Sequence, residues 1–380
     1  MWFIVGRAVL FGAVMVGFTA SALGQVRVTP EKSKGGTKWG APWADVPESF
    51  RNLGVPDWPV PTDLKQWQDR DQPRTRALLV ELLGDMPARP DPAQVKVISR
   101  EDKGDYTLER IEFFNGVDMQ VPGIIAIPKQ RKGRVPAIIG MHGHSGSKNE
   151  YLPNPENEFS LGWMLVKQGY VVAAIDAYFN GERVFKGPRG KRERDAYGQE
   201  MSLFKLHLWQ GRTLWGMMLR DEQCLLDYLQ TRPEIDPAAI GATGMSMGCT
   251  RAWWLAAIDE RVKVNVGVAC FTRYTELLAH SSSHGIYYWV PGILKHFDTE
   301  AIYACVAPRP MLQLSGDQDH NAPPDGVEAL EKKLIPLYKL YDKPENFESV
   351  LYKNTGHEYL SDMRLRMVAW FAKHLPVPKE

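Results

Sequence analysis

A regular alternation of short apolar segments and longer amphipathic segments runs from residue 135 to the C-terminus. Runs such as "VPAIIGM", "VVAAIDA" and "VKVNVGVACF" are almost continuously apolar, as expected for strands that are buried on both faces. The stretches between them, such as "TLWGMMLRDEQCLLDYLQTRP", have the length and spacing of helices. Strands that alternate with helices form a mostly parallel sheet, since each helix carries the chain back across it. We therefore predict an α/β fold with a doubly wound, mostly parallel sheet and helices on both faces.

The first 24 residues differ in composition from the rest of the chain. Arg7 is followed by an apolar run from Ala8 to about Leu23, which ends in small residues. This arrangement is typical of a secretory signal peptide, and the run is short for a membrane span. We predict a signal peptide over 1–24 and export to the periplasm or the medium. A retained membrane anchor is the alternative.

Two further regions follow the predicted signal peptide. Residues 25–95 are predicted to form an N-terminal extension, in which an arm rich in Gly, Pro and Trp precedes a helix that packs on the main domain. The second half of the segment from Asp63 to Leu83 has a helical pattern, with Pro73 in the first turn and Gly84 as the stop signal. Residues 96–380 form the predicted catalytic domain.

The composition excludes several classes of partner. The whole chain has a formal net charge of +1, and removal of residues 1–24 would take away Arg7 and leave zero. A neutral chain has no electrostatic attraction to nucleic acid or to an anionic membrane surface. None of the four cysteines lies in a Cys-x-x-Cys pair and no Cys/His cluster has zinc-ligand spacing, so we predict no metal and no other cofactor. Buried free thiols are expected, with one disulfide as the alternative, and the oligomeric state is open.

A serine between two glycines lies where a predicted strand meets a predicted helix. The motif "GMSMG" places Ser246 between Gly244 and Gly248, after an apolar run and before a run rich in Ala and Trp. On a sharp strand-to-helix turn the serine hydroxyl is exposed, and the glycines let the neighbouring backbone approach. A glycine-rich loop that contains a serine by chance is the alternative. The strand-to-helix setting favours a nucleophile at Ser246.

Two more strand ends supply the groups that a serine nucleophile needs. The segment "YKNTGHEYL" places His357 directly after a predicted strand, where its imidazole can act as the base for Ser246. The segment "QLSGDQDHNAP" offers Asp319 and Asp317. We prefer Asp319 as the carboxylate that orients the imidazole, and Asp317 is the alternative, which otherwise caps a turn. The chain order Ser246, Asp319, His357 is the order expected on such a sheet.

A predicted oxyanion hole completes the site. The negative charge that develops on an attacked carbonyl oxygen needs two N–H donors. The backbone N–H of Met247, directly after the nucleophile, is one predicted donor. The loop "HGHSG" after the strand "AIIGM" is expected to supply the other from His144, with Ser145 as the second choice.

These motifs are similar to those of the α/β-hydrolase superfamily, and more narrowly of its acetyl xylan esterase-like branch, which is related to the dienelactone hydrolases. The resemblance extends over roughly Val121 to Pro376 and includes "HGHSGSK", "DAYFNGER", "GRTLWGM", "ATGMSMG", "APRPMLQLSGDQD" and "GHE". It implies an α/β-hydrolase fold, triad roles for Ser246, Asp319 and His357, and a place near the substrate entrance for "SSSHGIYYWVPG". Dienelactone hydrolases use a cysteine nucleophile and glucuronoyl esterases a Cys-Ser-Arg elbow, so the Met-Ser-Met elbow argues against both activities.

The combined prediction is a secreted serine carboxylic-ester hydrolase that acts through an acyl-enzyme. The predicted substrate is an acetylated carbohydrate or another small-molecule ester. The candidate substrate contacts are Trp209, Arg251, His284 and Tyr288, and sugar rings can pack on aromatic faces of this kind. Core packing or ion pairing is the alternative role for these residues. A serine peptidase of the prolyl oligopeptidase type and a non-catalytic exported carbohydrate-binding protein are the alternative functions.

Overall fold

The computed structural model describes residue 47 and residues 53–280 and 284–378. The predicted signal peptide and most of the predicted N-terminal arm lie outside the described residues. Within the described part, the chain forms a nine-stranded sheet. The strands are β1 (Lys96–Asp102), β2 (Tyr106–Phe114), β3 (Gln120–Pro128), β4 (Val135–Met141), β5 (Val171–Ile175), β6 (Ile235–Met245), β7 (Val262–Val268), β8 (Met311–Gly316) and β9 (Phe347–Tyr352).

Helices alternate with the strands from β4 onward, as the sequence predicts. The α-helices of more than one turn are α1 (Gln72–Leu82), α2 (Leu161–Lys167), α3 (Ala196–Trp209), α4 (Leu214–Thr231), α5 (Met247–Ile258), α6 (Tyr274–His280), α7 (Thr299–Ala304), α8 (Pro324–Leu340) and α9 (Ser361–His374). Several are capped as their sequences indicate. The side chain of Thr213, for example, accepts a hydrogen bond from the backbone N–H of Gly216 at 2.9 Å and so begins α4.

The sheet is antiparallel at one edge and parallel across the rest. Its strand order is β1-β2-β3-β5-β4-β6-β7-β8-β9. The first three strands form an antiparallel meander, and β3 is also antiparallel to β5. From β5 to β9 every neighbouring pair is parallel. The prediction of a mostly parallel sheet is therefore confirmed, and the carboxyl ends of β6, β7, β8 and β9 lie along the same edge of the sheet.

Each face of the sheet carries its own hydrophobic core. Side chains of α1, α4, α5, α7 and α8 pack on one face, and those of α2 and α9 pack on the other. All seven residues of β4 are buried, which explains why this strand is continuously apolar. The four cysteines are buried free thiols, as expected. Helices on both faces confirm the doubly wound arrangement.

The helix before the sheet is longer than the sequence predicts. A short α-helical turn (Leu64–Gln66) and a π-helical turn (Trp67–Asp71) precede α1 without a break. Pro73 is the second residue of α1, where its missing N–H is tolerated because the π turn has already interrupted the α-helical hydrogen bonds. Gly84, with φ of +92°, follows the helix as the stop signal that the sequence indicates. The Gln72 amide then donates to the carbonyl oxygens of Ala304 and Ala307, which fixes α1 against the end of α7.

Candidate active site

Ser246 lies on a sharp turn between β6 and α5. Its backbone has φ of 57° and ψ of −124°, a conformation that costs energy for any residue with a Cβ. The Ser246 N–H donates to the carbonyl oxygen of Val268 at 2.9 Å, and its own carbonyl oxygen accepts from the Thr250 N–H at 3.0 Å. The hydroxyl lies against the thiol of Cys270, just beyond the end of β7. The strained backbone is thus held by β7 on one side and by the first turn of α5 on the other.

The two glycines of the motif are required by close backbone contacts. A Cβ placed on Gly248 would lie 1.8 Å from the carbonyl oxygen of Met141, at the end of β4. A Cβ on Gly244 would lie 2.4 Å from the carbonyl carbon of Gly248. Both distances are far below van der Waals contact, and the clashing atoms belong to the backbone, which cannot rotate away. Glycine is therefore a steric requirement on each side of Ser246.

We expect Gly248→Ala to destabilise the fold strongly. The new methyl group must push apart α5 and β4, and overpacking of a close contact costs about 1 to 3 kcal/mol, with the upper end expected here because the clashing atoms belong to the backbone. Chemical denaturation measures the free energy of unfolding. Gly198→Ala is the matched control, because a Cβ there would have only ordinary contacts of 3.5 to 3.8 Å with side chains of residues 193–195, just before α3. Equal stability of the two variants would contradict the steric explanation.

The imidazole of His357 is paired with Asp319. His357 lies in the loop after β9, and its Nδ1 is 2.9 Å from each carboxylate oxygen of Asp319, which follows β8. The Asp319 side chain is fully buried and also accepts a hydrogen bond from the backbone N–H of Asn321 at 2.8 Å. Asp317 instead accepts from the Thr355 N–H at 3.3 Å. The structure therefore brings Asp319, and not Asp317, to the ring nitrogen of His357.

The loop after β4 lies directly beside Ser246. A Cβ on Gly143 would be 3.8 Å from the Ser246 Cβ. The next residue, His144, is held by its side chain, because its Nε2 is 2.9 Å from a carboxylate oxygen of Glu200 and its ring stacks on Tyr287. Glu200 is fully buried in α3, and its second oxygen accepts from the Tyr287 N–H at 3.0 Å. Helix α3 and the Tyr287 segment thus fix the loop that contains His144.

Met247 supplies a backbone donor at the same place. It is the first residue of α5, so its N–H has no acceptor within the helix. The N-terminus of a helix also carries a partial positive charge, which favours an anion beside Ser246.

His142 lies under this loop as a neutral imidazole. Its Nδ1 is 2.7 Å from the carbonyl oxygen of Gly143 and therefore donates, and its Nε2 accepts from the Ala177 N–H at 3.0 Å. Burial lowers the pKa of His142 well below its ordinary value, and the positive charge of Arg251 adds to the effect. A second proton would need a place on Nε2, where it would break the bond from Ala177.

The buried neutral imidazole predicts a loss of stability in acid. His142 binds a proton in the unfolded chain below pH 6.5 but stays neutral in the folded chain, so its contribution to stability is complete above pH 6.5 and declines as the pH falls. We expect wild type to lose about 2 kcal/mol more unfolding free energy between pH 7.5 and pH 5 than His142→Gln, in which that proton is absent. Urea denaturation at the two pH values measures the difference. Parallel pH profiles would contradict the prediction.

Two of the four candidate substrate contacts lie close to Ser246. The Nε2 of His284 is 3.6 Å from the Sγ of Cys270, and the His284 ring stacks on Tyr288 with centroids 4.9 Å apart. Burial lowers the pKa of His284 to about 4, so the ring is neutral at neutral pH. Its charge environment includes His357 and Asp319. His284 and Tyr288 therefore belong to the surroundings of the site.

The other two candidate contacts are corrected by the structure. Arg251 is fully buried, and its guanidinium is bound to Glu222 and to the carbonyl oxygen of His142, so it has a structural role and does not face substrate. The Trp209 side chain lies at the end of α3 and is 85% exposed, which leaves it outside the surroundings of Ser246 described above.

Sequence reasoning missed Cys270 and Glu200. Cys270 follows the carboxyl end of β7, next to the strand that precedes Ser246, and this position in the predicted sheet was the available signal. Burial raises the pKa of its thiol well above the ordinary value, so the group next to Ser246 is a neutral thiol. Glu200 lies within α3, and its pairing with His144 is a contact between distant segments that no local pattern indicates.

The described part of the chain contains neither a candidate metal site nor a candidate membrane-spanning helix. Over residues 53–280 and 284–378, no group of three His, Cys, Asp or Glu side chains is arranged to hold a metal ion. In the same ranges, no helix combines the length and apolar character needed to cross a bilayer.

The fold and the site define a class of protein. A mostly parallel sheet, a serine on a strand-to-helix elbow and a His–Asp pair beyond two later strands are the features of an α/β hydrolase. The model of the Abhydrolase family, Abhydrolase_7, matches residues 56–362, and the chain belongs to this family. The protein is accordingly an enzyme of the hydrolase class.

The chain is similar to a curated relative and to solved structures of esterases. It is 33% identical over 312 residues to "Putative hydrolase YtaP" of Bacillus subtilis (strain 168), a match that covers 79% of this chain and 98% of the relative. A "putative acetyl xylan esterase" of Bacteroides fragilis NCTC 9343 matches with a TM-score of 0.64, 20% identity and 80% coverage of each chain. The glucuronoyl esterase of Solibacter usitatus matches with a TM-score of 0.61, 16% identity, and coverage of 84% of this chain and 98% of the other. At these identities the two structures concern the fold alone.

Proposed function

We propose that the protein is a serine carboxylic-ester hydrolase with Ser246 as nucleophile, His357 as general base and Asp319 as the carboxylate that orients the base. The observation that carries the proposal is the contact of 2.9 Å between His357 Nδ1 and the buried Asp319 carboxylate. These residues follow β8 and β9, and Ser246 follows β6, so all three belong to one edge of the sheet. The family membership of the chain supports the same reaction class.

The proposed reaction is acyl transfer to water in two steps. His357 takes the proton from the Ser246 hydroxyl, whose oxygen attacks the ester carbonyl carbon. The backbone N–H groups of Met247 and His144 stabilise the oxyanion, and the leaving alcohol receives the proton from His357. Water then attacks the acyl-enzyme with His357 again as base, which releases the acid and restores Ser246.

For the substrate, we propose an acetylated carbohydrate or a related small-molecule ester. The support is the fold that this chain shares with the "putative acetyl xylan esterase" of Bacteroides fragilis. The Met-Ser-Met elbow differs from the Cys-Ser-Arg elbow of glucuronoyl esterases, which argues against that activity despite the shared fold. We also propose a catalytic domain over residues 96–380 and export through a signal peptide over 1–24.

The test of the reaction is to trap the covalent intermediate. The protein is mixed with p-nitrophenyl acetate and quenched in acid, and the peptide that contains Ser246 is analysed by mass spectrometry. We expect one added acetyl group on Ser246 and a burst of p-nitrophenol. Turnover of the ester without any covalent acyl group on this peptide would overturn the proposal, and so would cleavage of peptide amides in preference to esters. Release of acetate from acetylated xylan, other acetylated sugars and small aryl esters then identifies the substrate.

Export is tested separately. When the full chain is produced with its own N-terminus, protein recovered from the periplasm or the medium should begin at Gln25. Recovery only from the membrane fraction with residues 1–24 intact would favour the anchor.

A further inference from the structure

An apolar cavity of about 490 Å³ is connected to the surroundings of Ser246 through one shared residue, His284, which lines it. Its walls are formed by α6, by residues 284–295, and by Leu53 and Gly54. The volume is in the usual range for pockets that hold small ligands. The principal apolar side chains are Leu277, Leu278, Tyr288, Val290, Ile293 and Leu294.

The cavity is separated from the nucleophile by two side chains. His284 forms part of the cavity wall. Its Nε2 is 3.6 Å from the Sγ of Cys270, and the Cys270 thiol lies against the Ser246 hydroxyl. The His284 ring therefore stands between the nucleophile and the cavity, and a group of an ester bound at Ser246 would have to pass this ring to enter it.

The chemistry of the walls selects the kind of group. Tyr274, Tyr288 and Trp289 contribute aromatic rings, and the only side chain of the wall that is charged at neutral pH is Lys295, which is exposed. His284 is neutral because burial lowers its pKa to about 4. Burial of apolar surface is favourable here, whereas a charged or heavily hydroxylated group would lose its hydration without finding partners.

We propose that this cavity, between α6 and residues 288–295, is a substrate subsite for a bulky, uncharged apolar group of the ester. The proposal rests on ester hydrolysis at Ser246 and extends it. An acetyl group does not fill a space of this size and a sugar finds few polar partners in it, so the proposal adds esters with larger aryl or alkyl groups to the acetylated carbohydrates proposed above. Such a group can belong to the acid or to the alcohol of the ester, and the substrates of the test distinguish the two.

The test compares esters that differ on one side only. For the acid side, kcat/KM is compared between p-nitrophenyl acetate and the bulkier p-nitrophenyl benzoate and p-nitrophenyl hexanoate. For the alcohol side, kcat/KM is compared between methyl acetate and the bulkier benzyl acetate. We expect the bulkier ester to have the higher kcat/KM on one of the two sides. Leu278→Trp, which fills the cavity, should lower the ratio of kcat/KM for the bulky ester to kcat/KM for the small ester about tenfold, since apolar pockets discriminate by this order. The kcat/KM for the small ester itself should change little. Leu278→Ala, which enlarges the cavity, should shift the preference toward the larger group.

A matched control and a binding measurement keep the outcomes distinct. Leu365→Trp makes the same exchange at a half-exposed position of α9 and should leave every ratio unchanged. Hydrolysis of acetate esters with ratios that neither Leu278 variant alters would overturn the subsite and leave the proposed function standing. Titration calorimetry of Ser246→Ala with benzyl acetate and p-nitrophenyl hexanoate reports binding without turnover. If no ester is hydrolysed but binding of either ester is lost with Leu278→Trp, the subsite stands and the proposed function fails.

Discussion

Ser246→Ala is expected to lower kcat/KM for p-nitrophenyl acetate by at least about 1,000-fold, because the variant has no oxygen that can form the acyl-enzyme. The proposed oxyanion donors, the N–H groups of Met247 and His144, are unchanged in this variant and would still polarise a bound carbonyl, so a slow reaction with water is expected to remain. The fold should be intact, since the Ser246 backbone bonds to Val268 and Thr250 do not involve the hydroxyl. Steady-state kinetics together with the thermal unfolding midpoint measure both effects.

The control for this variant is Ser202→Ala. The Ser202 hydroxyl donates to the carbonyl oxygen of Gly198 within α3 and touches none of the proposed catalytic groups. Its activity should stay within about twofold of wild type, as for substitutions away from special features. If Ser246→Ala retained a tenth or more of the wild-type rate, the esterase mechanism through Ser246 would have to be abandoned.

Asp319→Asn is expected to reduce kcat by about 1,000-fold to 10,000-fold with a smaller effect on KM. An asparagine can still contact His357, but it offers an N–H where the carboxylate accepts, and the imidazole then takes the wrong tautomer. It also removes the negative charge that stabilises the imidazolium formed during acyl transfer. The kcat measurement on p-nitrophenyl acetate decides the outcome.

Asp317→Asn is the matched control in the same loop. Asp317 accepts from the Thr355 N–H, a role that an amide oxygen can also fulfil, so kcat should change by no more than a few-fold. A larger loss for Asp317→Asn than for Asp319→Asn would reverse the assignment of the two carboxylates. Retention of wild-type kcat by both variants would remove the carboxylate from the mechanism.

The parallel part of the fold was predictable because each of its strands can be recognised in the sequence as a short apolar run. The place of β5 between β3 and β4 was not, since strand order depends on pairing between distant segments. The early start of the first helix was also missed. The residues of its N-terminal part are largely polar, and the π-helical turn at Trp67–Asp71 that makes room for Pro73 has no local signature.

In the candidate site, too, local sequence signals were readable and contacts between distant segments were not. Ser246 could be singled out because close packing around an elbow requires glycines at fixed positions, and the structure explains both glycines through Met141 and its neighbours. His144 was chosen for its backbone N–H, but the partner that holds its ring, Glu200, lies on a distant helix. Arg251 was ambiguous, because a buried arginine and a substrate-binding arginine look alike until Glu222 is seen to occupy its guanidinium.

The contact between Gly248 and Met141 leaves no spare space between α5 and the end of β4. The turn that carries Ser246 and the start of the loop that carries His144 are therefore packed backbone against backbone, and a shift of one would displace the other. Variation in the size of the accepted ester is therefore expected at apolar residues of the cavity wall such as Leu278 and Val290, and not at Tyr287, whose N–H holds Glu200 beside His144.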